Sequence, residues 1–95
     1  MKAQEVLKRP NDIADLKGMI AKRAFTLPEQ QERVVRTALA SPDVIAFGTV
    51  SSIARECSVS PATVVRVATA LGFDSFRDFK TFFQQQLKRI ATQGS

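Results

Sequence analysis

No histidine occurs among the 95 residues, so the commonest general base and neutral metal ligand is missing. Cys57 is the single cysteine. It has no partner for an internal disulfide and no histidine to activate it as a nucleophile, which fits a reducing compartment. Glycine is scarce: Gly18, Gly48, Gly72 and Gly94 lie far apart, and none builds a phosphate-cradling loop. The Asp and Glu residues are scattered. These gaps argue against an enzyme and call for no metal and no cofactor. No apolar run is long enough to cross a bilayer, and the basic residues between Met1 and Asp12 lack the apolar segment of a secretory signal behind them. A cytoplasmic protein with no membrane partner is expected.

What is present suits one small folded unit. The length allows a single compact domain with a modest core. The 44% of hydrophobic residues argues against disorder. A net charge of +5 makes a polyanion a plausible partner, because Lys and Arg displace counterions condensed on phosphates. Charge alone does not decide this, and its placement must.

Hydrophobic spacing reads as helix throughout, with glycine and proline at the boundaries. Residues 1–10 are polar and expected to be loose, 11–91 form the domain, and 92–95 form a tail. A first helix follows Asn11 as N-cap and runs to about Ala24, with Ile13, Leu16, Ile20 and Ala24 on one face. Thr26 or Leu27 precedes a second helix opened by Pro28, with Val34, Val35, Ala38 and Leu39 inward and Ser41-Pro42 as its stop. Asp43 to Phe47 forms a short turn of helix or a loop, which Gly48 breaks. Thr49 caps a helix over Val50 to Cys57, and Ser60-Pro61 opens another that ends at Leu71. Gly72 supplies a left-handed closing residue, with Phe73 packing back on Ala68. Ser75 to Asp78 resembles a capping box for a last helix ending near Ile90 or Ala91.

The two helices joined by Ser58-Val59-Ser60 have the pattern of a helix-turn-helix. Ile53, Ala54 and Cys57 face inward from the first, Val59 from the turn, and Val64, Val67, Ala68 and Leu71 from the second. Small Ala54 lets the helices cross closely. The opposite side of the second helix, with Ser60, Ala62, Thr63, Val65, Arg66 and Thr69, carries no acid and is free to enter a major groove. Ser60 with Pro61 brings the helix N-terminus to a phosphate, and Arg66 suits guanine O6 and N7. Ala62 and Thr63 suit thymine methyls and base edges. Thr49, Ser51 and Ser52 offer a second helix start to the backbone, and Arg77 and Lys80 can flank the groove. Arg55 remains open between a phosphate contact and a solvated charge.

These residues resemble a known family. Val50-Ser51-Ser52-Ile53-Ala54, Ser60-Pro61-Ala62-Thr63-Val64-Val65-Arg66, Leu71-Gly72-Phe73 and Phe76-Arg77-Asp78-Phe79-Lys80 are similar to the N-terminal domain of RpiR-type transcriptional regulators, and the likeness extends from Leu27 to Leu87. Two positions depart from the family pattern: Ser58 stands where the turn usually has glycine, and Val67 where a bulkier residue often follows the arginine. The resemblance implies an all-α bundle of about five to six helices in a homeodomain-like or winged-helix-like arrangement. It also implies sequence-specific binding of duplex DNA, control of sugar or carbon-metabolism genes, and a phosphosugar effector bound by a sugar isomerase-like domain absent from these residues. An isolated domain of a longer regulator and a short family member both fit.

A homodimer on a palindromic operator is expected, since symmetric regulators read paired half-sites. Candidate contacts are Phe82, Phe83, Leu87 and Ile90 on the last helix, with Leu16 and Ile20 on the first. Phe82 also fits a plain role at the edge of the core. The competing readings are a helical protein–protein module using that last helix, and weakly specific coating of DNA.

Overall fold

A computed structural model describes residues 10–23 and 27–94. The expected loose segment 1–9, the helix end at Ala24, the Thr26 cap and Ser95 lie outside the described residues. Among the described residues six helices follow one another: α1 Ile13–Arg23, α2 Glu29–Ala40, α3 Pro42–Phe47, α4 Val50–Cys57, α5 Pro61–Ala70 and α6 Phe76–Gly94. No strand occurs among the described residues, and none of these helices is long and apolar enough to cross a membrane.

The starts follow local chemistry, with shifts of a residue or two. Asp12 rather than Asn11 caps α1: its carboxylate accepts the Asp15 amide at 2.8 Å. The Asp15 carboxylate accepts the amide of the residue before that cap, Asn11, at 3.1 Å. Pro28 stands just outside α2, with φ −57° and ψ 151°, and its carbonyl accepts the Glu32 amide. Pro42 opens α3 directly, so the ambiguous Asp43–Phe47 stretch is helical. The last helix does not stop at Ala91. It continues to Gly94, so residues 92–94 are helix rather than tail; nothing between Ile90 and Gly94 breaks the pattern. Pro10, assigned to the loose segment, is buried.

Packing forms one core. Along α2, Val34, Val35 and Ala38 point inward, while Glu29–Arg33 and Glu32–Arg36 pair at i,i+4 on the outside. That helix contacts α3, α4 and α5, and α3 lies along α6. The Gln84 side-chain amide of α6 donates to the Ala46 carbonyl of α3 at 2.9 Å, satisfying an oxygen that the short helix leaves without an intrahelical partner. Phe73, Phe79, Phe82 and Phe83 interlock with ring centroids 5.2–5.4 Å apart, in the tilted and edge-on orientations that aromatic quadrupoles favour. Cys57 is a free, buried thiol in the same core.

Gly48 is required by space rather than by backbone angle. Its φ of −93° and ψ of 177° suit any residue. A Cβ there would run into the Val44 carbonyl oxygen and sit 2.9 Å from Ser52 Oγ and 3.0 Å from Ile53 Cγ1. The bare backbone lets α3 pass directly into the first turn of α4.

Candidate nucleic-acid interface

Helices α4 and α5 pack on each other, and both rest on α2. Their inner faces are Ile53, Ala54 and Cys57 from α4, and Val64, Val67 and Ala68 from α5, all buried. Ala54 is 3% exposed and Val64 is fully enclosed, so the small residue of α4 and the first inward valine of α5 are both buried. Each helix begins on a side-chain cap. Thr49 accepts the Ser52 amide at 3.0 Å, and Ser52 Oγ accepts the Thr49 amide at 2.8 Å, a reciprocal box. Ser60 Oγ accepts the Thr63 amide at 3.3 Å, with Pro61 at the first helical position.

Both helices also end alike. Beyond α4, the Val59 amide donates to Ala54 and the Ser58 amide to Arg55. Beyond α5, the Phe73 amide donates to Ala68 and the Gly72 amide to Thr69. Each is the paired closure in which a left-handed residue turns the chain back. Gly72 takes φ 95°, and Ser58 takes φ 59° as the side-chain-bearing residue with positive φ. The serine at the turn therefore adopts the conformation that glycine would adopt more cheaply. Arg33 Nη1 of α2 donates to the Ser58 carbonyl at 3.3 Å and fixes that turn from outside. The sequence gives no local signal for this contact, since the partners are 25 residues apart.

The outward surface of α5 is a strip of Ala62, Val65, Arg66 and Thr69, at spacings of three, four and seven, with Ser60 and Pro61 at its leading end. Among the described residues no carboxylate pairs with Arg66, the acid pairs being those within α2. Thr63 does not belong to this strip. It is 3% exposed, and its hydroxyl meets Ser60 Oγ at 3.0 Å. This corrects its expected place on the groove-facing side: at about 100° per residue it falls beside Val67, on the core edge. Thr69 Oγ1 is within 3.4 Å of the Val65 carbonyl, so this hydroxyl is bonded back to its own helix.

The other expected contacts separate. Thr49, Ser51 and Arg77 are exposed, while Ser52 and Lys80 are half-buried. Arg55 is exposed on α4. Of the expected dimer contacts, Leu16 and Phe83 are completely enclosed and Phe82 is 7% exposed. These three side chains fill this chain's own core and have no surface to give a second copy, which corrects that expectation. Ile20 and Leu87 are half-buried against the core. Ile90 is 56% exposed.

Comparison with known proteins places this geometry. The pattern described as helix-turn-helix domain, rpiR family, matches residues 14–89. The chain belongs to the rpiR family of helix-turn-helix domains. It is thus a DNA-binding domain of the kind found in transcription regulators, and its α4–α5 pair has the helix-turn-helix arrangement. It is 34% identical over 55 residues to an uncharacterized HTH-type transcriptional regulator of Haemophilus influenzae, a match spanning 58% of this chain and 19% of that protein. A similar fold appears in the crystal structure of the N-terminal domain of ybbH from Bacillus subtilis, described as a transcriptional regulator. The two superpose with a TM-score of 0.66 at 27% identity, over 75% of this chain and 87% of that one.

Proposed function

We propose that this rpiR-family domain binds duplex DNA sequence-specifically by laying α5 in the major groove, as the reading unit of a cytoplasmic regulator of sugar or carbon-metabolism genes. One observation carries this reading: the outward face of α5 is free of acid and presents Arg66 without a carboxylate partner among the described residues. A helix lying between two phosphate backbones needs both properties. Arg66 takes the guanine contact. The capped starts of α4 and α5, at Thr49 and Ser60, face phosphates with Ser51, and Arg77 and Lys80 neutralise the flanking backbone.

The intact regulator acts as a homodimer on a palindromic operator, with a phosphosugar sensed by a sugar isomerase-like domain elsewhere in the protein. Exposed Ile90, continuing the α6 stripe from half-buried Leu87, supports a dimer contact there. Selection of bound duplexes from a random library, followed by salt titration of the winner against a random sequence, tests the reading. Specific readout gives a large affinity ratio that survives physiological salt. Coating gives a steep salt slope and no ratio.

A further inference from the structure

Hydrogen-bonding groups on the reading face are fewer than its sequence suggests. The Ser60 hydroxyl caps α5 and meets Thr63 Oγ1. Thr63 is buried, and Thr69 Oγ1 turns back to the Val65 carbonyl. Arg66 is left as the one side chain of the strip whose hydrogen-bonding head is not engaged within α5. Around it the surface is apolar: Pro61 and Ala62 are exposed, and Val65 is 43% exposed although its neighbours Val64 and Val67 are enclosed. A β-branched side chain held outward beside the reading arginine is poor for solvation and well suited to an apolar partner.

We infer that Val65, with Ala62 beside it one helical turn earlier, is a specificity-determining residue that recognises thymine C5-methyl groups next to the guanine read by Arg66. This rests on the DNA-binding reading above. The argument is one of exclusion as much as attraction. In the major groove the thymine methyl is the one projecting apolar group; apart from C–H positions such as cytosine C5–H, the other base-edge groups are hydrogen-bond donors or acceptors. Valine pressed against guanine O6 or cytosine N4 would strip water from a polar group and return no hydrogen bond. Against a methyl the same contact buries apolar surface on both sides. The half-site core is therefore a guanine flanked by thymine, and Val65 disfavours G·C pairs at the flanking position.

Replacing thymine by deoxyuracil removes that methyl and leaves every hydrogen-bonding group in place, so it isolates the proposed contact. Duplexes are first selected with the chain, and each thymine of the winning half-site is then replaced singly by deoxyuracil. The parent and Val65→Ala are titrated against both forms, with circular dichroism confirming the helical content of the variant. The expected result is a three- to tenfold loss for the parent at one or two thymines beside the guanine. Val65→Ala should show a similar loss on the thymine duplex and little further loss on the uracil duplex. Uracil tolerated at every position, or equal uracil penalties for parent and variant, overturns the role of Val65 while leaving DNA reading intact. If selection enriches no sequence at all, the DNA reading itself fails and this inference falls with it.

Discussion

Arg33 on α2 reaches the carbonyl oxygen of Ser58, the residue that turns the chain between the two helices of the motif, at 3.3 Å. The same guanidinium also pairs with Glu29 at 3.3 Å. The turn is thus gripped from a helix outside the motif, at the point where its backbone is least comfortable. This couples the angle between α4 and α5 to the body of the domain. Arg33→Ala should lower stability by less than about 1 kcal/mol, because the side chain is half-exposed and the net worth of such a bond is small. Specific DNA affinity should fall by more than that stability change explains. Denaturant melts run beside binding titrations check it, and equal losses in both would reduce Arg33 to an ordinary surface pair.

Ser58 itself should improve on replacement. Its φ of 59° and ψ of 46° penalise a side chain. Ser58→Gly removes that strain at the cost of a more flexible unfolded chain, and the balance is a gain of about 0.5–1 kcal/mol. A rise in Tm measures it, and a fall would show that the serine makes a compensating contact.

Gly48→Ala should destabilise by about 1–3 kcal/mol, the range for overpacking where backbone must move. The added methyl would meet the Val44 carbonyl rather than a yielding side chain. Urea unfolding decides this, and an unchanged midpoint would mean that α3 and α4 separate freely.

Arg66→Ala should cost about 1–3 kcal/mol of specific binding and relax the preference at one base pair, with Tm nearly unchanged. Repeating the selection with the variant shows whether a single position of the site has become degenerate. A variant that selects the same sequence as the parent removes Arg66 from base reading.

On α6, Ile90 and Phe82 should behave oppositely. Phe82→Ala opens the aromatic cluster with Phe73 and Phe83 and should cost about 3–4 kcal/mol. Ile90→Glu lies on the surface and should leave the Tm almost where it was, while weakening self-association in sedimentation. Unchanged association would remove Ile90 from any interface.

Most of the fold was legible because its punctuation is local. Thr49, Ser60-Pro61 and Gly72 announce helix ends through bonds spanning three to five residues, and the structure forms those bonds. The start of α1 falls on Asp12 rather than Asn11: both are good acceptors, and it is the Asp12 carboxylate that takes the Asp15 amide. Thr63 is polar yet lies inward, 3% exposed. Its position on the helix, forty degrees or so from Val67, already pointed inward. The Arg33–Ser58 and Gln84–Ala46 bonds had no sequence signal, because they exist only once distant helices meet. The dimer contacts suffered from the same limit: periodicity finds an apolar stripe on α6 but cannot divide it between a chain's own core and a second copy.

The lone thiol of Cys57 lies in the core beneath the reading pair, 6% exposed and unbonded. A maleimide or disulfide reagent therefore reaches it only when α4 lifts away from α2 and α5. With no other cysteine in the chain to blur the signal, its labelling rate is a clock for how often the motif opens. If DNA holds that pair shut, the clock slows in proportion to occupancy, and the protein carries its own gauge of how far binding and rigidity are one event.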